Sequence, residues 1–185
     1  MTWSLGYLPP REPELLDALF LSAGRSLHLA NAFEKKCRWM VRCINLIEMH
    51  ESGVEFVMDG DLITNLPPDK MLANTLNHLT GKISSSDEIM AVLRQATKAR
   101  NFIAHEGASV GNVSAAGEKE ILAHARRLRS AVLELADGDN IVSQWGFHFE
   151  EPRQSPPKEL IDSYPQLIDQ WVFGHFGDLL DEELV

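Results

Sequence analysis

The chain has 185 residues, 44% of them hydrophobic and 24% charged, and a formal charge of −10. That length and apolar content can bury a core without staples and exclude wholesale disorder. The acidity excludes recruitment of nucleic acid by the net field, so any such binding needs a local basic patch. Two cysteines, Cys37 and Cys43, six apart and outside any C-x-x-C pattern, fit a reducing compartment. The N-terminus lacks a basic stretch followed by a long apolar run, and no apolar run approaches about 18 residues. A cytoplasmic protein with no membrane span is therefore expected.

Residues 1–10 read as an extended lead-in, with Trp3, Leu5 and Tyr7 alternating before Pro9 and Pro10. From about Glu12 to Glu51, apolar residues recur at three and four, including Leu15, Leu19, Ala23, Leu27, Ala30 and Phe33. This is the period of an amphipathic helix, with Pro13 suited to its first turn. Gly24 leaves open whether it is one helix or two. Residues 52–68 read as irregular, with a turn or short hairpin about Asp59, Gly60 and Asp61. A helix follows from Asp69 to about Leu79, with Asp69 as a cap or first-turn acid and Gly81 as its stop.

Ser84, Ser85, Ser86, Asp87 and Glu88 form a strong helix start, since a serine cap and early acids complement the orphan N–H groups and the helix dipole. That helix spans about Asp87 to Glu106 and stops at Gly107. A polar loop covers 109–117, and another helix covers Glu118 to Ala136. Asp137, Gly138, Asp139 and Asn140 read as a turn, and Trp145, Phe147 and Phe149 as a short extended segment of period two. A last helix is expected over 157–173, followed by an acidic tail. The fold class is all-α: an up-and-down helical bundle of four to six helices over 1–150, with a C-terminal helical extension over 151–185 packed on the same domain.

The helix around residue 100 has the most chemistry. Leu93, Ala96 and Ile103 mark its core side, and Arg100, seven after Leu93, falls near it. A cation there must face a cleft, an acidic partner or a subunit interface, because burial without a partner is costly. Arg94, Lys98, Asn101 and His105 succeed one another at four, three and four residues on the other side. Such a strip can hold a phosphate, and the imidazole can move a proton near neutral pH. The plainer reading is the polar face of any amphipathic helix, with a histidine meeting the dipole at its end.

The stretch Lys98-Ala99-Arg100-Asn101-Phe102-Ile103-Ala104-His105 resembles the signature of the HEPN family (higher eukaryotes and prokaryotes nucleotide-binding). That signature is an arginine, four to six residues, then a histidine, with a polar residue after the arginine. The resemblance implies an all-helical bundle, a homodimer whose two motifs face one cleft, and a metal-independent ribonuclease without a cofactor. Arg100 and His105 match the family's catalytic pair and Asn101 the polar helper, with Arg94 and Lys98 as phosphate-binding neighbours. Toxin–antitoxin or defence biology is implied, with RNA or nucleotide as ligand and an antitoxin or other protein as partner. The alternative is a non-catalytic module binding nucleotide, RNA or protein. Gly107 stands where many toxin-type members carry a tyrosine, so modification of that tyrosine is not available. Arg100 and His105 lie about 140° apart on an ideal helix, so they meet only if the helix loosens or two subunits contribute.

Other features read as structural. No histidine pairing suggests zinc. His28, His50, His78 and His124 read as surface or satisfied interior residues. Glu34 and Glu48 are potential partners of Arg100, with a solvated helix face favoured for both. Arg126, Arg127 and Arg129 read as a solvated face rather than a wider basic patch. Trp145, Phe147, Phe149 and Trp171 read as packing rather than a stacking platform for bases.

Overall fold

A computed structural model describes residues 8–60, 62–67, 72–83 and 86–181. The expectations for Trp3, Leu5 and Tyr7, for Asp69 and for the last four residues of the acidic tail fall outside them. Within them the protein is an all-α bundle of five helices: α1 (Pro13–Glu51), α2 (Leu72–Ile83), α3 (Asp87–Glu106), α4 (Glu118–Glu150) and α5 (Lys158–Phe173). A 3₁₀ segment, Gly174–Leu180, follows α5 and kinks at Gly177, where φ is +55°. None of the described helices is long and apolar enough to cross a membrane.

α1 is one uninterrupted helix of 39 residues, about 58 Å long at 1.5 Å per residue. Gly24 causes no break in it. Leu16, Leu19, Ala23, Ala30, Phe33, Cys37, Met40 and Ile44 make its buried stripe. Burial pushes the Cys37 thiol up to about 12, with the nearby Asp139 carboxylate adding to the shift. The expected hairpin is small. Strands β1 (Met58–Asp59) and β2 (Leu62–Ile63) pair antiparallel, Met58 with Ile63 and Asp59 with Leu62. Gly60 in the turn has φ +58°, a conformation that glycine adopts without a Cβ penalty.

Two helix stops read from glycine do not occur. α2 runs past Gly81 to Ile83. α4 runs straight through the expected turn at 137–140 and the expected extended segment at 145–149. The reason lies in its inner face. Ile121, Ala125, Leu128, Val132, Leu135, Asp139, Val142 and Gly146 are all buried and recur at four and three residues without a gap. Gly138 permits the close approach of α3, since a Cβ there would lie 2.3 Å from the Ala96 Cβ. Asp139 is an interior carboxylate. It accepts from Lys36 Nζ of α1 at 2.7 Å and from the Tyr164 hydroxyl of α5, so three helices meet on its two oxygens. Lys36 also donates to Ser143 Oγ at 2.6 Å.

Asn140 has a similar role. Pro165, inside α5, has no N–H to give the Ile161 carbonyl four residues earlier. Asn140 Nδ2 donates to that carbonyl at 2.8 Å. α5 is thereby tied to α4 at the point where its own ladder is interrupted.

The C-terminal segment buries Val172, Phe173, Phe176 and Leu180 in the core and is also gripped through its main chain. Ser22 Oγ donates to the Val172 carbonyl at 2.9 Å and Arg25 to that of Trp171 at 2.6 Å. Arg126 donates to the carbonyls of Leu179 and Leu180. Arg129 spans Asp169 and Asp181. Two of the three arginines read as a solvated face are thus engaged in docking this segment. Trp171 packs in the same seam, with Arg25 over its ring and His28 at its edge.

Candidate functional site

The motif lies in the last two turns of α3. Ser86 caps that helix by accepting from the Ile89 N–H at 3.3 Å, and Asp87 and Glu88 occupy its first turn. Its C-terminus is held by a bond from Gly107 N–H to the Ile103 carbonyl at 3.3 Å. Gly107 remains right-handed there, with φ −53°. The His124 ring of α4 bonds the Gly107 carbonyl at 3.0 Å. The following loop is shaped by Asn112, whose side-chain oxygen accepts from Ser114 N–H and whose carbonyl accepts from Ala115 and Ala116.

The two sides of α3 separate as the wheel predicts. Leu93, Ala96, Ala99 and Ile103 are buried, while Arg94, Lys98, Asn101 and His105 lie on the opposite side, toward solvent. Arg100 faces α1. It pairs with Glu34, which also binds Arg38, so one carboxylate serves two guanidinium groups. The Arg100 side chain is 20% exposed and that of Glu34 14%. This corrects the reading of Glu34 as part of a solvated face. An arginine near the core side needs a counter-charge, and Glu34 sits next to Phe33 on the inner edge of α1, four residues before Arg38. Arg100 also donates to Asn101 Oδ1 at 3.2 Å. The Nε atoms of Arg38 and Arg100 are buried without a hydrogen-bond partner among the described residues.

His105 stands between two hollows. One, of about 660 Å³, lies between α1 and the loop after α3 and includes Phe20, Gly24, Leu27, Ala104 and Val110. The other, of about 490 Å³, lies between α3 and α4 and includes Lys98, Asn101, Phe102, Arg127 and Ser130. Arg100 lines neither. Within one copy neither of these two hollows brings the arginine and the histidine of the motif together, in line with their separation around the helix. Asn101 joins the two halves, hydrogen-bonded to Arg100 and lining the α3–α4 cleft with His105. Arg94 lies further along the strip, in a smaller hollow with Lys98.

Sequence reasoning missed one residue of this region and set another aside. Arg38 went unremarked, although Glu34 and Arg38 stand at the i, i+4 spacing of a helical ion pair. Arg127 was grouped with Arg126 and Arg129, but it alone of the three lines the cleft beside His105. Fold and site together define an all-α bundle with a cationic, histidine-ended strip on its third helix. No family model matches the chain, and neither a curated protein nor a solved structure matches it.

Proposed function

We propose that this is a HEPN-like protein whose Arg100, Asn101 and His105 form a metal-independent endoribonuclease centre when two copies associate. Its setting is cytoplasmic, in toxin–antitoxin or defence biology, with an antitoxin or other protein as regulatory partner. The observation that carries the reading is the position of His105 between two clefts, in line with Lys98 and Arg94. Neither of those two cations has an ion pair among the described residues. In the reaction, the ribose 2′-oxygen attacks the adjacent phosphorus while His105 removes its proton. The bond to the 5′-oxygen breaks, leaving a 2′,3′-cyclic phosphate and a 5′-hydroxyl that takes up a proton. Arg100 stabilises charge on the phosphorane-like transition state.

The second copy follows from the separation of Arg100 and His105. The face of α1 beside His105 suits one. Phe20 and Leu27 are each 41% exposed, and Gly24 between them has open space where a Cβ would be, so another helix can approach closely. The rival reading, a non-catalytic binding module, is favoured by a different observation: Arg100 is already engaged by Glu34 and Asn101.

Purified protein incubated with structured and single-stranded RNA in chelator tests the proposal, beside His105→Ala and Arg100→Ala. The expected result is cleavage that leaves a cyclic phosphate end and is lost in both variants. Mixing the two inactive variants should restore about one quarter of the activity, since half of randomly exchanged dimers carry one intact site of two. Absence of cleavage by folded protein would overturn the enzyme reading and leave the module.

A further inference from the structure

The cleft between α3 and α4 has chemistry beyond the motif. Lys98, Asn101 and His105 recur at three and four residues along α3, and Arg127, Ser130 and Glu134 do the same along α4. Two facing helical stripes thus wall one groove. Arg127 lies over the Phe102 ring, its guanidinium carbon 4.3 Å from the centroid, yet its side chain is 63% exposed. Its charge partner among the described residues is Glu106 at 3.3 Å, a surface pair of little strength. Arg126 and Arg129, by contrast, are held by the C-terminal segment. Arg100 occupies the Asn101 carbonyl oxygen, which leaves the Asn101 amide N–H groups for a ligand.

We propose that this groove is a subsite for one nucleotide of a single-stranded RNA. The proposal rests on the reading of His105 as the RNA-facing imidazole. Lys98 and Arg127, on opposite walls, each take one of the two backbone phosphates that flank that nucleotide. Asn101 and Ser130 offer hydrogen bonds to sugar or base edges. The guanidinium of Arg127, backed by Phe102, offers a plane on which an unstacked base can lie. A duplex is disfavoured on two counts. Its bases are not free to stack, and its dense charge meets Glu106 and Glu134 at the groove together with a net charge of −10 over the chain. Two cations against two carboxylates also leave no broad positive field, so the grip is short-ranged and confined to those two phosphates.

The test is fluorescence anisotropy on full-length His105→Ala protein, which removes the cleaving imidazole. A labelled single-stranded RNA decamer is compared with its duplex in chelator, across a salt series. The expected salt slope is about −1.4 for two phosphate contacts, and Lys98→Gln or Arg127→Gln should each reduce it by about 0.7. Arg127→Lys should keep the slope and weaken binding several-fold, since the stacking plane is lost while the charge stays. Arg153→Gln, remote from the groove, should change neither.

Unchanged slopes in both glutamine variants, with thermal midpoints at the parent value, would overturn the subsite. So would duplex binding as tight as the single strand, or no binding of the single strand. The two readings fail separately. If the unmodified protein does not cleave but the slopes behave as stated, the subsite stands and the ribonuclease falls. Cleavage by unmodified protein that Lys98→Gln and Arg127→Gln leave untouched upholds the enzyme and overturns the subsite.

Discussion

Replacing Gly138 by alanine tests the packing of α3 on α4. In an exposed helix the change would stabilise by about 1 kcal/mol through backbone entropy. Here the new Cβ would stand 2.3 Å from the Ala96 Cβ, with Leu93 Cδ2 at 3.8 Å. Carbon atoms settle at about 3.5–4.0 Å, so the helices must part by more than about 1 Å. Neither of the two clashing Cβ atoms can rotate away, because both are fixed to helical backbone. Overpacking of this kind costs about 1–3 kcal/mol, and the absence of a rotamer escape puts it at the upper end. Set against the propensity gain, the net loss is about 2 kcal/mol, a fall of roughly 4–8 °C in Tm for a domain of this size.

Thermal and urea unfolding followed by circular dichroism measure it. A second arm repeats the substitution in an Ala96→Gly background, where the clash is gone and Gly138→Ala should stabilise by about 1 kcal/mol. A Gly138→Ala protein as stable as the parent, or more stable, would refute the close approach and with it the continuous α4.

Two further outcomes follow from the interior. Asn140→Ala should cost about 1–2 kcal/mol by orphaning the Ile161 carbonyl. In a Pro165→Ala background, where the substituted residue supplies the missing N–H, the cost should shrink to roughly a few tenths of a kcal/mol; equal costs in both backgrounds would disprove the capture. Cys37 gives a pH signature. Its folded pKa, near 12, lies above the unfolded value of 9.0, so its contribution is fully present below pH 9 and is lost as pH rises toward 12. The stability lead of the parent over Cys37→Ala, read from urea titrations between about pH 8 and 11, should shrink by up to about 1.4 kcal/mol per pH unit above 9. Parallel pH profiles would show that the thiol is not buried as described.

The readable parts of the chain were those where local chemistry and packing agree. The serine cap and early acids of α3 place its start at Asp87, and the apolar period of α1 carries through Gly24. Around residue 138 they conflict. Asp-Gly-Asp-Asn has the composition of a turn, yet each of its last three residues answers a neighbour distant in sequence. Gly138 meets Ala96, Asp139 meets Lys36 and Tyr164, and Asn140 meets Ile161. The unbroken four-and-three recurrence from Ile121 to Gly146 was the available signal, legible only if an aspartate and a glycine are admitted to the inner face. At the site, the wheel separated Arg100 from His105 correctly. The preference of Arg100 for Glu34 over Glu48 depends on how α1 is rotated against α3, which periodicity along one helix does not report.

The attachment of the final segment has a consequence for how the chain can vary. Ser22, Arg25 and Arg126 grip the carbonyl oxygens of Trp171, Val172, Leu179 and Leu180, and every amino acid supplies that oxygen. Those hydrogen bonds, as distinct from the packing of Arg25 on the Trp171 ring, do not depend on which side chains the segment carries. Its outward residues are therefore free to be rewritten, for instance to suit a new neighbour, without loosening those clasps, whereas the gripping residues on α1 and α4 have no such latitude.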